Sequence, residues 1–226
     1  MSSLSLPKAK KLPWLKLTVL CVALAVGAWA VLRGANPREL ADQGMALIRA
    51  VGPTAFFAAM VVLPAVGAPM SAFTLSAGEA FGNRFTLPGV MVIALAMIAI
   101  NLALTYWLAR YALRPLLLRL VARYGFKVPS VTPANALSVA LVVRLTPGPP
   151  YFFQCYLLGL AEVPFRLYMI VSWLAVLPWT IGAVLLGKGI FDGNFTAVAT
   201  GSGLIVVAAV LVQIVRKKYA KRADGN

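Results

Sequence analysis

The 226-residue chain contains no histidine, only six acidic residues and only two cysteines. Without histidine there is no imidazole to act as general base, carry a phosphoryl group, ligate zinc or haem, or switch charge near neutral pH. Cys21 and Cys155 both fall in apolar runs, which excludes a disulfide scaffold and a thiolate metal cage. Charged residues of both signs make up 12% of the chain, against roughly 25% in soluble domains. No motif for nucleotide binding, metal binding or nucleophilic catalysis occurs. The sequence therefore reads as a protein that is not an enzyme and needs no cofactor or metal.

What is abundant is apolar: 61% of the residues are hydrophobic. One core cannot hide so much apolar side chain from water, so the solvent for most of the chain is lipid. The fold class is an all-α integral membrane protein. Lys and Arg number 21 against six acids, for a formal charge of +15. In a soluble protein that excess would suggest nucleic acid, but in a membrane protein it first reports topology, and no nucleic-acid partner is expected.

Charge-free stretches mark the spans: 17–32, 50–78, 85–109, 128–143, 145–161, 167–187 and 193–215. A crossing helix needs about 20 apolar residues. The stretches 85–109, 167–187 and 193–215 qualify directly. The stretch 17–32 is shorter, but Lys16 and Arg33 flank it with stems long enough to snorkel. Its basic start and Ala28-Trp29-Ala30 also suit a cleaved signal peptide, although the apolar run continues through Val31 and Leu32.

The other stretches are broken. Pro64, Gly67 and Pro69 divide 50–78, and Arg144-Leu-Thr-Pro147-Gly148-Pro149-Pro150 separates 128–143 from 145–161. Proline removes donors and clashes with the preceding turn, so no helix runs through either break. Broken backbone survives at membrane depth only where protein or a water-filled cavity covers it. Both stretches are predicted to be re-entrant helical hairpins.

The positive charges test that arrangement. Lys8, Lys10, Lys11 and Lys16 precede the first span, Arg110, Arg114, Arg119, Arg123 and Lys127 follow 85–109, and Arg216, Lys217, Lys218, Lys221 and Arg222 follow 193–215. About four spans with two opposed hairpins put all three clusters in the cytoplasm, as the positive-inside rule requires. The spacing Gly67-Ala-Pro69…Gly78 also repeats as Gly148-Pro-Pro150…Gly159. Opposed, repeat-related, broken helices are one way transporters build a midplane site.

Arg144 is the charge that topology does not explain. At the inner end of a half-helix it lies near the bilayer midplane, where a charge costs at least ~2.5–3.5 kcal/mol. Half-helices begin after Pro150 and after Pro69, with Ser71 as an expected cap of the second. Two positive helix ends and a guanidinium suit an anion, and a phosphate group best. Glu79, ~15 Å along its helix from Pro69, is either a proton-carrying or gating carboxylate or a partner of Arg84. Glu162 is expected to pair with Arg166, and Arg110 and Arg114 to anchor the end of a span. Trp14, Trp107, Tyr111 and Tyr219 suit an interfacial belt. Asn101 is expected to form an interhelical hydrogen bond, and Cys155 and Tyr156 to face the cavity.

Arg144-x-x-Pro147-x-x-Pro150 with Tyr156, Gly159, Phe165 and Pro178 resembles the signature of the DedA/VTT-domain (SNARE-associated-Golgi-like) membrane proteins. Pro64…Ser76-Ala77-Gly78-Glu79-Ala80-Phe81-Gly82 resembles that family's first hairpin, and Ala109-Arg110-Tyr111 its following span end. The resemblance covers roughly 48–187 and departs at Cys155, usually Asn, and at Asn101, often Gly. It implies a lipid transporter or scramblase for an anionic, phosphate-bearing lipid.

The expected organisation is a basic cytoplasmic N-terminus (1–16), a first span and outer loop (17–47), a core with both hairpins (48–187), and a last span with a basic tail (188–226). Both termini are expected in the cytoplasm, in the cell (inner or plasma) membrane. Arg144, Pro147, Gly148, Pro150, Ser71 and Tyr156 are the expected headgroup residues. Pro64, Gly67, Pro69, Gly78, Gly82 and Gly159 shape the hairpins. Membrane lipids are the expected partners, and assembly into a homo-oligomer suits the reading. A proton-coupled small-anion carrier using Glu79, and a non-transporting membrane organiser with lipid-binding basic tails, remain open.

Overall fold

The computed structural model describes residues 37–123, 128, 131–146 and 149–224. The expected first span at 17–32, the basic N-terminus, Pro147 and Gly148 lie outside the described residues. Among the described residues all regular structure is helical. The chain divides into two units at residue 50. The first contains most of helix α1, Pro37–Val51, with Glu39 in its first turn and Arg49 in its last, the order that complements a helix dipole.

The second unit opens with α2, Pro53–Val62, which starts at a proline and passes into a tight 3-10 turn over Leu63–Val66. Pro64 sits inside that turn, and Gly67 ends it in the left-handed region at φ 109°, where a side chain would be strained. Pro69 then caps α3, Met70–Phe85. Thr86, itself left-handed at φ 62°, accepts from the Gly89 N–H at 3.3 Å and opens α4, Leu87–Trp107. A π turn over Leu108–Ala112 continues α4, and α5 is Arg114–Arg123. The second break lies between α6, Ala136–Leu145, and α7, Tyr151–Leu160. Each has 10 residues, hence about 15 Å, half of a bilayer core. Helix α8 runs from Phe165 to Asp192 and stops at left-handed Gly193, and α9 is Phe195–Asp224.

Among the described residues three helices, Leu87–Ala112, Phe165–Asp192 and Phe195–Val215, are long and apolar enough to cross a membrane. Their outward residues suit lipid: Val92, Ile170, Leu174 and Val206 are all exposed. Helix α8 is central and packs on α9, α3, α4 and α6. Glycine lets these backbones meet. A Cβ on Gly187 would stand 1.8 Å from the Leu75 carbonyl oxygen of α3, and one on Gly78 would stand 2.5 Å from that of Val184. On the other side, Gly182 faces Gly201, and Gly189 faces Val198 of α9. Gly159 performs the same service for α7, where a Cβ would meet Ala109 at 2.7 Å. Gly78, Gly82 and Gly159 thus shape helix contacts away from the breaks themselves, whereas Pro64, Gly67 and Pro69 form the first break.

Candidate functional site

The two breaks are tied together by side chains that donate to loose carbonyls. Broken helix ends leave acceptors without intrahelical partners, and in an apolar interior each must be met. Asn101 of α4 donates from Nδ2 to the Val61 carbonyl at 2.7 Å, and its Oδ1 accepts from the Tyr151 hydroxyl at 3.0 Å. The Tyr156 hydroxyl donates to the Ala65 carbonyl at 2.6 Å. Gln154 Nε2 reaches the Thr146 and Pro149 carbonyls at 3.3 and 3.4 Å. Four carbonyls beside the breaks are thus met by side chains, whereas the residues that open α3 and α7, Pro69 and Pro150, supply no side-chain cap to the amides.

Arg144 lies in the last turn of α6 and is buried, 8% exposed. Its Nε donates to Ser172 Oγ of α8 at 2.8 Å and its Nη2 to Cys155 Sγ of α7 at 3.4 Å. The guanidinium lies 5.6 Å from the ring centre of Tyr151 and 5.5 Å from that of Tyr168, cation–π contacts on two sides. Tyr168 is held in turn through its hydroxyl, which donates to the Leu102 carbonyl at 3.0 Å. Nη1 is buried and has no partner among the described residues. An unmet buried donor costs about 1–3 kcal/mol, more when it carries charge.

Arg144 lines a cavity of about 390 Å³ between α3, α6, α7 and α8. Ser71, Thr74, Gln154 and Thr180 add polar atoms, and Trp179 and Leu186 are among the apolar walls. Both first turns without a side-chain cap reach it, through Met70 and Ser71 of α3 and Tyr151 of α7. Among the described residues no three His, Cys, Asp or Glu side chains come together. The fixed charge of the cavity is the guanidinium.

The expected site residues divide accordingly. Arg144 and Ser71 line the cavity, and Pro150 starts α7 beside it. Ser71 does not cap α3: Pro69 takes that position and Ser71 lies inside the helix. Tyr156 is spent on the Ala65 carbonyl, so it joins the two breaks and leaves the cavity wall to Tyr151 and Gln154. Cys155 is fully buried against Arg144. Glu79 pairs with Lys188 Nζ of α8 at 3.8 Å, and the same Nζ meets Asp192 at 2.9 Å. Glu162 pairs with Arg114 at 2.7 Å and Arg110 at 3.7 Å, so the two arginines are tied to the turn after α7. Asn101 does make the interhelical hydrogen bonds expected of it. Trp107 and Tyr111 are exposed and stacked at 5.1 Å, whereas Trp14 and the side chain of Tyr219 lie outside the described residues. Ser172, Tyr151, Gln154 and Thr180 were not anticipated. Gln154 and Ser172 are polar residues in apolar runs, and that was the signal available.

No curated protein and no solved structure matches the chain. A family model does, the VTT domain over residues 53–189, more than half of the chain and including both breaks, Arg144 and the cavity lining apart from Ile205. The apolar helices fit a multi-pass membrane location. The chain belongs to the VTT-domain family, that of the DedA and SNARE-associated Golgi membrane proteins.

Proposed function

We propose that the protein is a transporter or scramblase that moves an anionic, phosphate-bearing lipid between leaflets. The observation that carries the reading is the unpartnered Nη1 of buried Arg144 on the wall of a largely apolar cavity. A guanidinium can grip two phosphate oxygens at once. The uncapped amides of α3 and α7 favour the same charge. In this reading both broken pairs are re-entrant hairpins from opposite faces, four helices cross, and both termini are cytoplasmic in the cell membrane. Arg144 holds the headgroup beside Pro150, which opens α7, and Pro147 and Gly148 remain proposed headgroup residues on the strength of the sequence alone. No catalytic group takes part. Purified protein in vesicles should exchange a fluorescent anionic phospholipid between leaflets, and Arg144→Ala should reduce the rate to that of protein-free vesicles. Equal rates for wild type and variant would overturn the reading.

A second reading is a proton-coupled carrier of a small anion. Glu79, 13% exposed and paired with Lys188, is the carboxylate it would use. It predicts pH-gradient-driven uptake that Glu79→Gln abolishes, and unimpaired uptake in that variant would remove it.

A further inference from the structure

We infer that the end of α4 carries a lipid site of its own, apart from the cavity: Arg110 and Arg114 hold the headgroup of an anionic phospholipid whose acyl chains lie along Trp107 and Tyr111. The inference goes beyond the transport reading and does not depend on it.

The position follows from the helix. α4 and its π turn form an apolar stretch of 26 residues, Leu87–Ala112, so in a bilayer its end lies at headgroup depth. π turns within helices are frequent at functional sites, and this one carries Arg110. Helix α5 then adds Arg114, Arg119 and Arg123 with no acid, and the last two are exposed. Such basic clusters beside a spanning helix suit anionic lipid. The rings that border Arg110 are open as well: Trp107 is 47% and Tyr111 62% exposed. Tryptophan and tyrosine favour the membrane interface. None of these residues lines the Arg144 cavity.

The charge there is unbalanced. Among the described residues Glu162 is the carboxylate that faces both arginines, 2.7 Å from Arg114 and 3.7 Å from Arg110. The longer distance is not a hydrogen bond. Two guanidinium groups against one carboxylate leave a net positive charge, and all three side chains are partly exposed. Arg110 is fixed without being neutralised. Its Nη1 donates to the Tyr106 hydroxyl at 2.9 Å, which donates on to the Val163 carbonyl at 2.8 Å. Its guanidinium also lies 5.9 Å from the ring centre of Tyr111. Glu162 sits in the left-handed region at φ 59°, where glycine would be unstrained. What a glutamate adds at that position is a carboxylate on the two arginines. That carboxylate occupies part of the headgroup site and competes with the lipid for it.

The test reads binding at equilibrium. Full-length protein is placed in vesicles in which either phosphatidylglycerol or phosphatidylcholine carries brominated acyl chains, which quench a tryptophan they touch. The part of the quenching lost in Trp107→Phe belongs to this site. At physiological salt that part should show phosphatidylglycerol preferred by about fivefold, the effect of one net positive charge near a membrane surface. Arg110→Gln with Arg114→Gln should remove the preference. Glu162→Gln should raise it by about another fivefold, because a competitor is gone. Arg144→Ala should leave it unchanged. Equal quenching by the two lipids at Trp107 would overturn the site, as would a preference that survives the double arginine variant. A preference lost in Arg144→Ala would place the lipid in the cavity instead. A weaker preference in Glu162→Gln would overturn the competition and make the carboxylate a structural support. Inorganic phosphate at matched ionic strength should not relieve the quenching, and relief would assign the site to a free anion. Where the double arginine variant fails to fold, the wild-type ratio and Glu162→Gln still decide.

Discussion

Lys188 and Arg144 are both partly or wholly buried cations against the same helix, and their surroundings are opposite. Lys188, on α8 itself, faces two carboxylates, Glu79 and Asp192. Arg144, reaching α8 through Ser172, faces a hydroxyl, a thiol and two aromatic rings, with no carboxylate. A cation among acids is already neutralised and acts on the fold, joining α3 to α8. A cation among neutral donors, acceptors and rings is held in place but remains uncompensated, and so can attract a ligand. The two sites teach that position in an apolar segment is only half of the argument. The sign of the neighbours is the other half.

The comparison can be broken experimentally. Arg144→Leu should abolish headgroup-dependent transport, at least tenfold or about 1.4 kcal/mol. Its melting temperature should hold or rise, because the variant removes an uncompensated buried charge along with two hydrogen bonds. A lower melting temperature with transport preserved would make Arg144 a structural residue like Lys188. Lys188→Met should do the converse. Leaving Glu79 and Asp192 facing each other should cost roughly 1–2 kcal/mol in denaturant melts while protein that folds keeps its transport. Adding Glu79→Gln to Lys188→Met should recover part of that loss, and the non-additivity measures the pair. Tyr156→Phe removes the donor to the Ala65 carbonyl and should cost about 1 kcal/mol. Glu162→Gln, which loosens the half-exposed pair with Arg114, should change stability least, by about 0.2–1 kcal/mol and less in high salt.

The breaks were legible because prolines and glycines cluster there, Pro64, Gly67 and Pro69 at one and Pro149 and Pro150 at the other, whereas the lone Pro178 stays inside α8. Arg144 was legible because one charge in an apolar run is conspicuous without any knowledge of its contacts. Its partners were not, since Ser172 is 28 residues away and helix packing alone selects it. Glu79 shows the same limit: the sequence left it as a proton-carrying or gating carboxylate or a partner of Arg84, and Lys188 emerges as a partner only once α3 lies on α8. Glu162 likewise reaches back to Arg114 across the turn instead of forward to Arg166. Tyr156 looked like a cavity residue because it follows the prolines, but the twist of α7 sends it to the first break and gives the cavity Tyr151 and Gln154. Helix α1 falls partly where only a connecting loop was foreseen.

The glycine contacts of α8 limit how its neighbours can shift against it. Gly187 rides on the Leu75 carbonyl, and Gly182 and Gly189 mesh with α9, so α8 is held in register on two sides. Sliding it by one residue would bring Leu186 or Lys188 to the place that admits only glycine. It cannot ratchet. Helices α3, α8 and α9 therefore interlock as one frame, and the guanidinium of Arg144 is held to it by the hydrogen bond to Ser172 and by the ring of Tyr168, both on α8.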